Sequence, residues 1–198
     1  MIEAIVEKLE AKRELFLKLA EINPTTTIFA SNTSSIPITR IAAGIPSPDR
    51  VIGMHFFNPA HIMKLVEVIS GAETAEEVTE TMKALTLKIG KTLVVAKDSP
   101  GFIVNRVARH YYVESLRMLE EHVAPFETID ALMESAGFRM GPFTLMDAVG
   151  NDINFAVTSS LFNSFHQDAK FRPSRIQQQK VDAGHFGKKS GRGFYNYS

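Results

Sequence analysis

The stretch Thr27-Ile28-Phe29-Ala30-Ser31-Asn32-Thr33-Ser34-Ser35 decides the fold class. Residues 27 to 30 are a short apolar run of strand formers, and residues 31 to 35 a polar loop leading through Pro37 into a short helix around residues 39 to 43. Parallel sheets bind ligands in such loops, just beyond the carboxyl end of a strand. Upstream, Leu9, Leu15, Phe16, Leu19 and Ile22 recur at mostly helical spacing with Lys, Arg and Glu between them, predicting an amphipathic helix over residues 8 to 22 that Asn23-Pro24 stops. Downstream, residues 51 to 56, 65 to 69 and 92 to 95 read as strands and 75 to 89 as a helix. The first half is mixed α/β.

After Asp98-Ser99-Pro100-Gly101 the β-branched runs stop and helical periodicity takes over, across residues 102 to 121, 127 to 136 and 143 to 163. Gly141-Pro142 and the cluster from Gly184 to Gly193 punctuate these helices. The expected organisation is an α/β domain over residues 1 to 98 followed by an all-helical domain over residues 99 to 198, with no internal repeat or low-complexity tract.

Twenty-two basic and twenty-two acidic side chains cancel, which argues against nucleic acid or an anionic membrane surface as a partner. The partners expected are small molecules or other protein chains. No segment approaches the run of about 18 apolar residues that a membrane span needs, and the start, Met1 to Glu7, carries acids inside its apolar stretch. The absence of cysteine fits a reducing compartment, and a cytoplasmic location is expected. His61, His110, His122, His166 and His185 show no metal-ligand spacing with neighbouring acids, so no metal is expected.

His55-Phe56-Phe57-Asn58-Pro59 carries the chemistry. A histidine at the end of one apolar segment, with Glu67 on the next, is how a general base working near neutral pH is built. A lone histidine beside two phenylalanines is more often structural; what favours catalysis is that Glu67, Asn58 and Asn105 accompany it in the order of the family that the chain resembles, as follows.

Glu3 to Glu7, Phe29 to Ser35, His55 to Pro59, Met63 to Glu67, Asp98 to Arg106, Met140 to Phe143 and Phe186 to Tyr197 together resemble the 3-hydroxyacyl-CoA dehydrogenase family, in the family's order and across essentially the whole chain. Within it, Phe138 to Gly150, Asn154 to Ser159 and Gly187 to Tyr195 are most similar to the phenylacetate-pathway type, which implies 3-hydroxyadipyl-CoA as substrate, with 3-hydroxybutyryl-CoA the alternative. The resemblance implies the C-terminal part of a Rossmann-like NAD-binding domain and a helical domain that carries the dimer contact. It implies NAD-dependent oxidation of a 3-hydroxyacyl-CoA to the 3-ketoacyl-CoA in fatty-acid or aromatic-acid catabolism.

On that resemblance His55 is the base, Glu67 its orienting carboxylate, and Ser34 and Asn105 hold substrate oxygens. Glu7, Lys12, Asn32, Asn58 and Lys189 fall on the cofactor side. Each has a plainer reading: Ser34 as an N-cap of the next helix, Asn105 as a polar face of an amphipathic helix, Asn58 as a turn residue, Lys189 as part of a solvated basic turn, and Glu7 and Lys12 as polar positions of an amphipathic segment.

The chain departs from the family at one point. No Gly-x-Gly-x-x-Gly follows a strand, so the backbone cradle for the dinucleotide pyrophosphate is missing and weak NAD affinity is expected of this chain alone. Its incomplete sheet should expose an edge and apolar surface that another chain buries, and a homodimer through residues 102 to 120 and 143 to 161 is expected. The alternative is a truncated, non-catalytic dimerisation or acyl-CoA-binding fragment of such an enzyme.

Overall fold

A computed structural model describes residues 1–197. The chain divides into two compact units, Met1–Ile103 and the remainder from Val104. Phe102 is buried in the core of the first unit.

The first unit runs β1 (Ile2–Glu3), α1 (Leu9–Ile22), β2 (Phe29–Ser31), α2 (Ile38–Ala42), β3 (Val51–Phe56), β4 (Leu65–Ser70), α3 (Glu76–Lys88) and β5 (Thr92–Lys97). The strands form one sheet in the order β1-β2-β3-β4-β5. Every neighbouring pair is parallel except β3 and β4. Alternate residues of a strand face opposite sides, and the two sides are covered by different helices. Val51 and Ile69 face Phe16 of α1 and Ile38 and Ile41 of α2, whereas Ile52, Met54, Val66 and Val68 pack with Val78 and Met82 of α3. His55 and Glu67 share the parity of Val51 and Ile69, so they belong to the α1/α2 side.

Two local features differ from the sequence reading. β1 is too short to show alternation, yet it pairs with β2, with Ile2, Ile5 and Val6 exposed along this edge of the sheet. α2 is capped by Asp98 rather than by Ser34: the Asp98 carboxylate accepts the amides of Ile38 at 2.7 Å and Thr39 at 2.8 Å. These are two of the helix's orphan donors.

The second unit is helical: α4 (Val104–Glu120), α5 (Phe126–Ser135), α6 (Pro142–Val149), α7 (Asn151–Ser164) and α8 (Arg175–Asp182). The periodicity over 143 to 163 is two helices, because Gly150 sits at φ 106°, a conformation that an L residue rarely adopts. α8 starts at Ser174, whose hydroxyl accepts the amides of Ile176 and Gln177. The core gathers Tyr112, Leu116, Ile129, Phe143, Met146 and Phe194. Buried Asp147 fastens the glycine-rich tail, accepting Phe194 N at 3.0 Å, Tyr195 N at 2.9 Å and Tyr197 OH at 3.0 Å. Gly193 is required there because a Cβ would run into the Asp147 carboxylate. Among the described residues no helix is long and apolar enough to cross a membrane.

Candidate active site

His55 is the fifth residue of β3, and Glu67 stands opposite it on β4 as its cross-strand partner. The twelve-residue spacing is thus the register of an antiparallel hairpin, which puts both side chains on one face. Nδ1 of His55 lies 2.8 Å from Oε2 of Glu67, and both residues are buried, at 4% and 0% exposure. The other oxygen, Oε1, accepts the amide of Ile103 at 3.0 Å. The carboxylate is therefore held at both ends. The imidazole is flanked by the rings of Phe57, at 4.5 Å, and Phe102, at 5.9 Å. With a carboxylate as partner, Nδ1 carries the hydrogen and donates it, which leaves the lone pair on Nε2. Such a histidine can take a proton at Nε2 and share the resulting charge with its partner.

Glu7, the Asn32–Ser34 loop and Asn58 follow β1, β2 and β3 respectively. These strands run parallel, so the three segments lie at one end of the sheet, beyond the carboxyl ends where open α/β sheets hold nucleotides. Glu7 organises this end. Its Oε1 accepts Thr33 Oγ1 at 2.7 Å, Ser34 N at 2.9 Å, Ser35 N at 3.0 Å and Ser35 Oγ at 3.1 Å. Burial works against its ionisation, but the Thr33 hydroxyl, the Lys12 charge and the two loop amides outweigh it and hold the carboxyl below its ordinary range.

Lys12 is not on a polar face. It lies four residues before Phe16 on the inward stripe of α1 and is 1% exposed. Its Nζ bonds both oxygens of buried Glu3, at 2.9 and 3.0 Å, and stands 3.4 Å from Glu7. Ser31 also donates to Glu3. Nothing in the pattern of Met1 to Val6 marks Glu3 as the centre of this cluster except that it is an acid within an apolar stretch.

Asn32 bridges strands: its Oδ1 accepts the amide of Phe56 at 2.8 Å, tying the loop after β2 to the residue beside His55. Asn58 is exposed and joined to Pro59 by a cis peptide bond. Ser34 is half-buried in the Glu7 loop. Asn105 and Lys189 belong to the helical unit. Asn105 is the second residue of α4 and half-buried, and Lys189 forms an ion pair with Asp152 at 2.7 Å. The structure thus gathers His55, Glu67, Glu7, Lys12, Asn32, Ser34 and Asn58 within the first unit. Among the described residues no cluster of three or more His, Asp or Glu has the arrangement of a metal site.

A buried His-Glu pair beside the loop end of an α/β sheet is the arrangement of a candidate acid-base site, and comparison with known proteins places the chain in a family. Residues 1–99 match the family model "3-hydroxyacyl-CoA dehydrogenase, NAD binding domain", and residues 101–197 match "3-hydroxyacyl-CoA dehydrogenase, C-terminal domain". The chain belongs to the 3-hydroxyacyl-CoA dehydrogenase family. It is 57% identical over 198 residues to a 3-hydroxyadipyl-CoA dehydrogenase of Escherichia coli (strain K12), covering all of this chain and 42% of that protein. To a probable 3-hydroxybutyryl-CoA dehydrogenase of Bacillus subtilis (strain 168) it is 48% identical, covering all of this chain and 69% of that protein. A crystal structure of 3-hydroxybutyryl-CoA dehydrogenase from Escherichia coli K12 superposes with a TM-score of 0.96 at 56% identity, covering 99% of this chain and 42% of that one. The chain therefore spans less than half of the first of these relatives.

Proposed function

We propose that the chain carries the acid-base half of an NAD-dependent dehydrogenase that oxidises a 3-hydroxyacyl-CoA to the 3-ketoacyl-CoA. The buried His55–Glu67 pair at 2.8 Å is the observation that carries this reading. Nε2 of His55 takes the proton of the C3 hydroxyl. Glu67 fixes the ring and stabilises the imidazolium, and the Phe57 and Phe102 rings keep water from its faces. Bound NAD supplies the acceptor for the hydride leaving C3. Glu7, Asn32 and Asn58 present polar groups where the nicotinamide end would lie, Lys12 supports Glu7 from within α1, and Lys189 is assigned to the nucleotide. Ser34 and Asn105 are assigned to substrate oxygens, which they orient without reacting.

The substrate reading is 3-hydroxyadipyl-CoA, supported by the relative at 57% identity, with 3-hydroxybutyryl-CoA as the second reading, supported by the Bacillus relative. A homodimer through the helical unit is part of the proposal, and exposed Val107, Val149 and Ile153 support it. Sedimentation analysis tests that point, a monomer at micromolar concentration opposing it.

The activity is tested by following NADH formation from each substrate with the full encoded polypeptide. Turnover of either supports the reading. Binding of acyl-CoA without any turnover would instead favour a non-catalytic acyl-CoA-binding protein.

A further inference from the structure

We propose that Arg109 binds a carboxylate at the far end of the acyl chain and so selects dicarboxylic acyl thioesters; this rests on the function proposed above and names what recognises its substrate. Arg109 lies on α4 four residues after Asn105, so the two share a helix face, one turn of about 5.4 Å apart.

The guanidinium is buried, with the residue 4% exposed, and every partner it has is neutral. Nη1 donates to Asn154 O at 3.0 Å and Thr158 Oγ1 at 2.9 Å, Nε donates to Asn105 O at 3.3 Å, and the group lies 4.7 Å over the ring of Tyr112. The ion pairs Arg117–Glu114, Lys170–Asp168 and Lys189–Asp152 of the helical unit do not involve it. Nη2 donates to no protein group among the described residues and keeps some accessible surface. A buried cation without a counter-charge is costly unless an anion completes it. Burial draws its pKa down to about 10, which still leaves it charged at neutral pH.

The length of such a ligand agrees with this placement. In a six-carbon dicarboxylic acyl chain, the terminal carboxyl carbon is three bonds of about 1.5 Å each from the carbon bearing the hydroxyl. With Asn105 at the hydroxyl end, that span fits one helical turn. A four-carbon chain ends in a methyl group and offers the guanidinium nothing.

The test is calorimetric titration of the full encoded polypeptide with adipyl-CoA and hexanoyl-CoA, which differ by a carboxylate in place of a methyl. Adipyl-CoA is expected to bind about tenfold or more tightly, with the preference lost in Arg109→Met and kept in Thr158→Val, which removes only a neutral partner of the guanidinium. A wild type without preference, or an Arg109→Met variant that weakens both ligands equally, would overturn the proposal. The comparison reads binding alone, so failure of the dehydrogenase reading registers separately, as no NADH from a wild type that still prefers adipyl-CoA.

Discussion

His55 and Glu67 occupy one rung of the antiparallel β3–β4 ladder, Nδ1 2.8 Å from Oε2, and the far oxygen of Glu67 accepts the Ile103 amide. Register and amide together fix the carboxylate, and the carboxylate fixes the ring. Both residues are positioned by the strands that carry them, which suits the role of base proposed for His55.

Glu67→Gln keeps an oxygen for one of these two bonds and removes the charge that stabilises the imidazolium. The turnover rate is expected to fall roughly tenfold to a hundredfold with little change in KM. Steady-state kinetics of the full encoded polypeptide on the proposed 3-hydroxyacyl-CoA substrate checks this; a rate equal to wild type would separate Glu67 from the chemistry.

Lys12→Met leaves Glu3 buried and unpaired. Breaking a buried ion pair from one side costs about 3–5 kcal/mol, and these side chains are 1% and 4% exposed. Denaturant unfolding should show that loss, and the double variant Glu3→Met/Lys12→Met should recover much of it. Full additivity of the two single losses would contradict the pairing.

Glu7 gives stability a pH dependence of known sign. Its folded pKa lies below the ordinary glutamate value of 4.5, so its contribution is complete above that value and is lost as pH falls through the lower folded one. Thermal midpoints of wild type and Glu7→Gln should differ at neutral pH and converge in acid. A difference that persists unchanged under acid conditions would show that the loop is not held by the ionised carboxylate.

Asp98→Ala removes the cap of α2 and leaves two helix amides without their acceptor. A loss of about 0.5–2 kcal/mol is expected, whereas Asp98→Asn, which keeps one acceptor oxygen, should lose less. Chemical denaturation of both variants checks the order.

The legible parts of this chain are those where one residue type sits against its local pattern. His55 and Glu67 interrupt apolar strands, and the shift after Asp98 from β-branched runs to helical spacing marks the two units. Lys12 and Glu3 are illegible because each looks ordinary alone; only the pairing of β1 with β2 brings Glu3, Ser31 and Lys12 together. The plainer reading of Ser34, as an N-cap, is not met because the residue that caps α2 is Asp98, 60 positions from Ile38 in sequence. Gly150 splits one predicted helix into two through a single backbone angle, which periodicity does not register.

The central claim is tested most directly by single-turnover oxidation of 3-hydroxyadipyl-CoA, the substrate proposed above, by the full encoded polypeptide and its His55→Ala variant, each saturated with NAD. Removing the base should slow hydride transfer roughly 10²- to 10⁴-fold while substrate binding stays near wild type. Equal single-turnover rates for the two proteins would contradict His55 as the base.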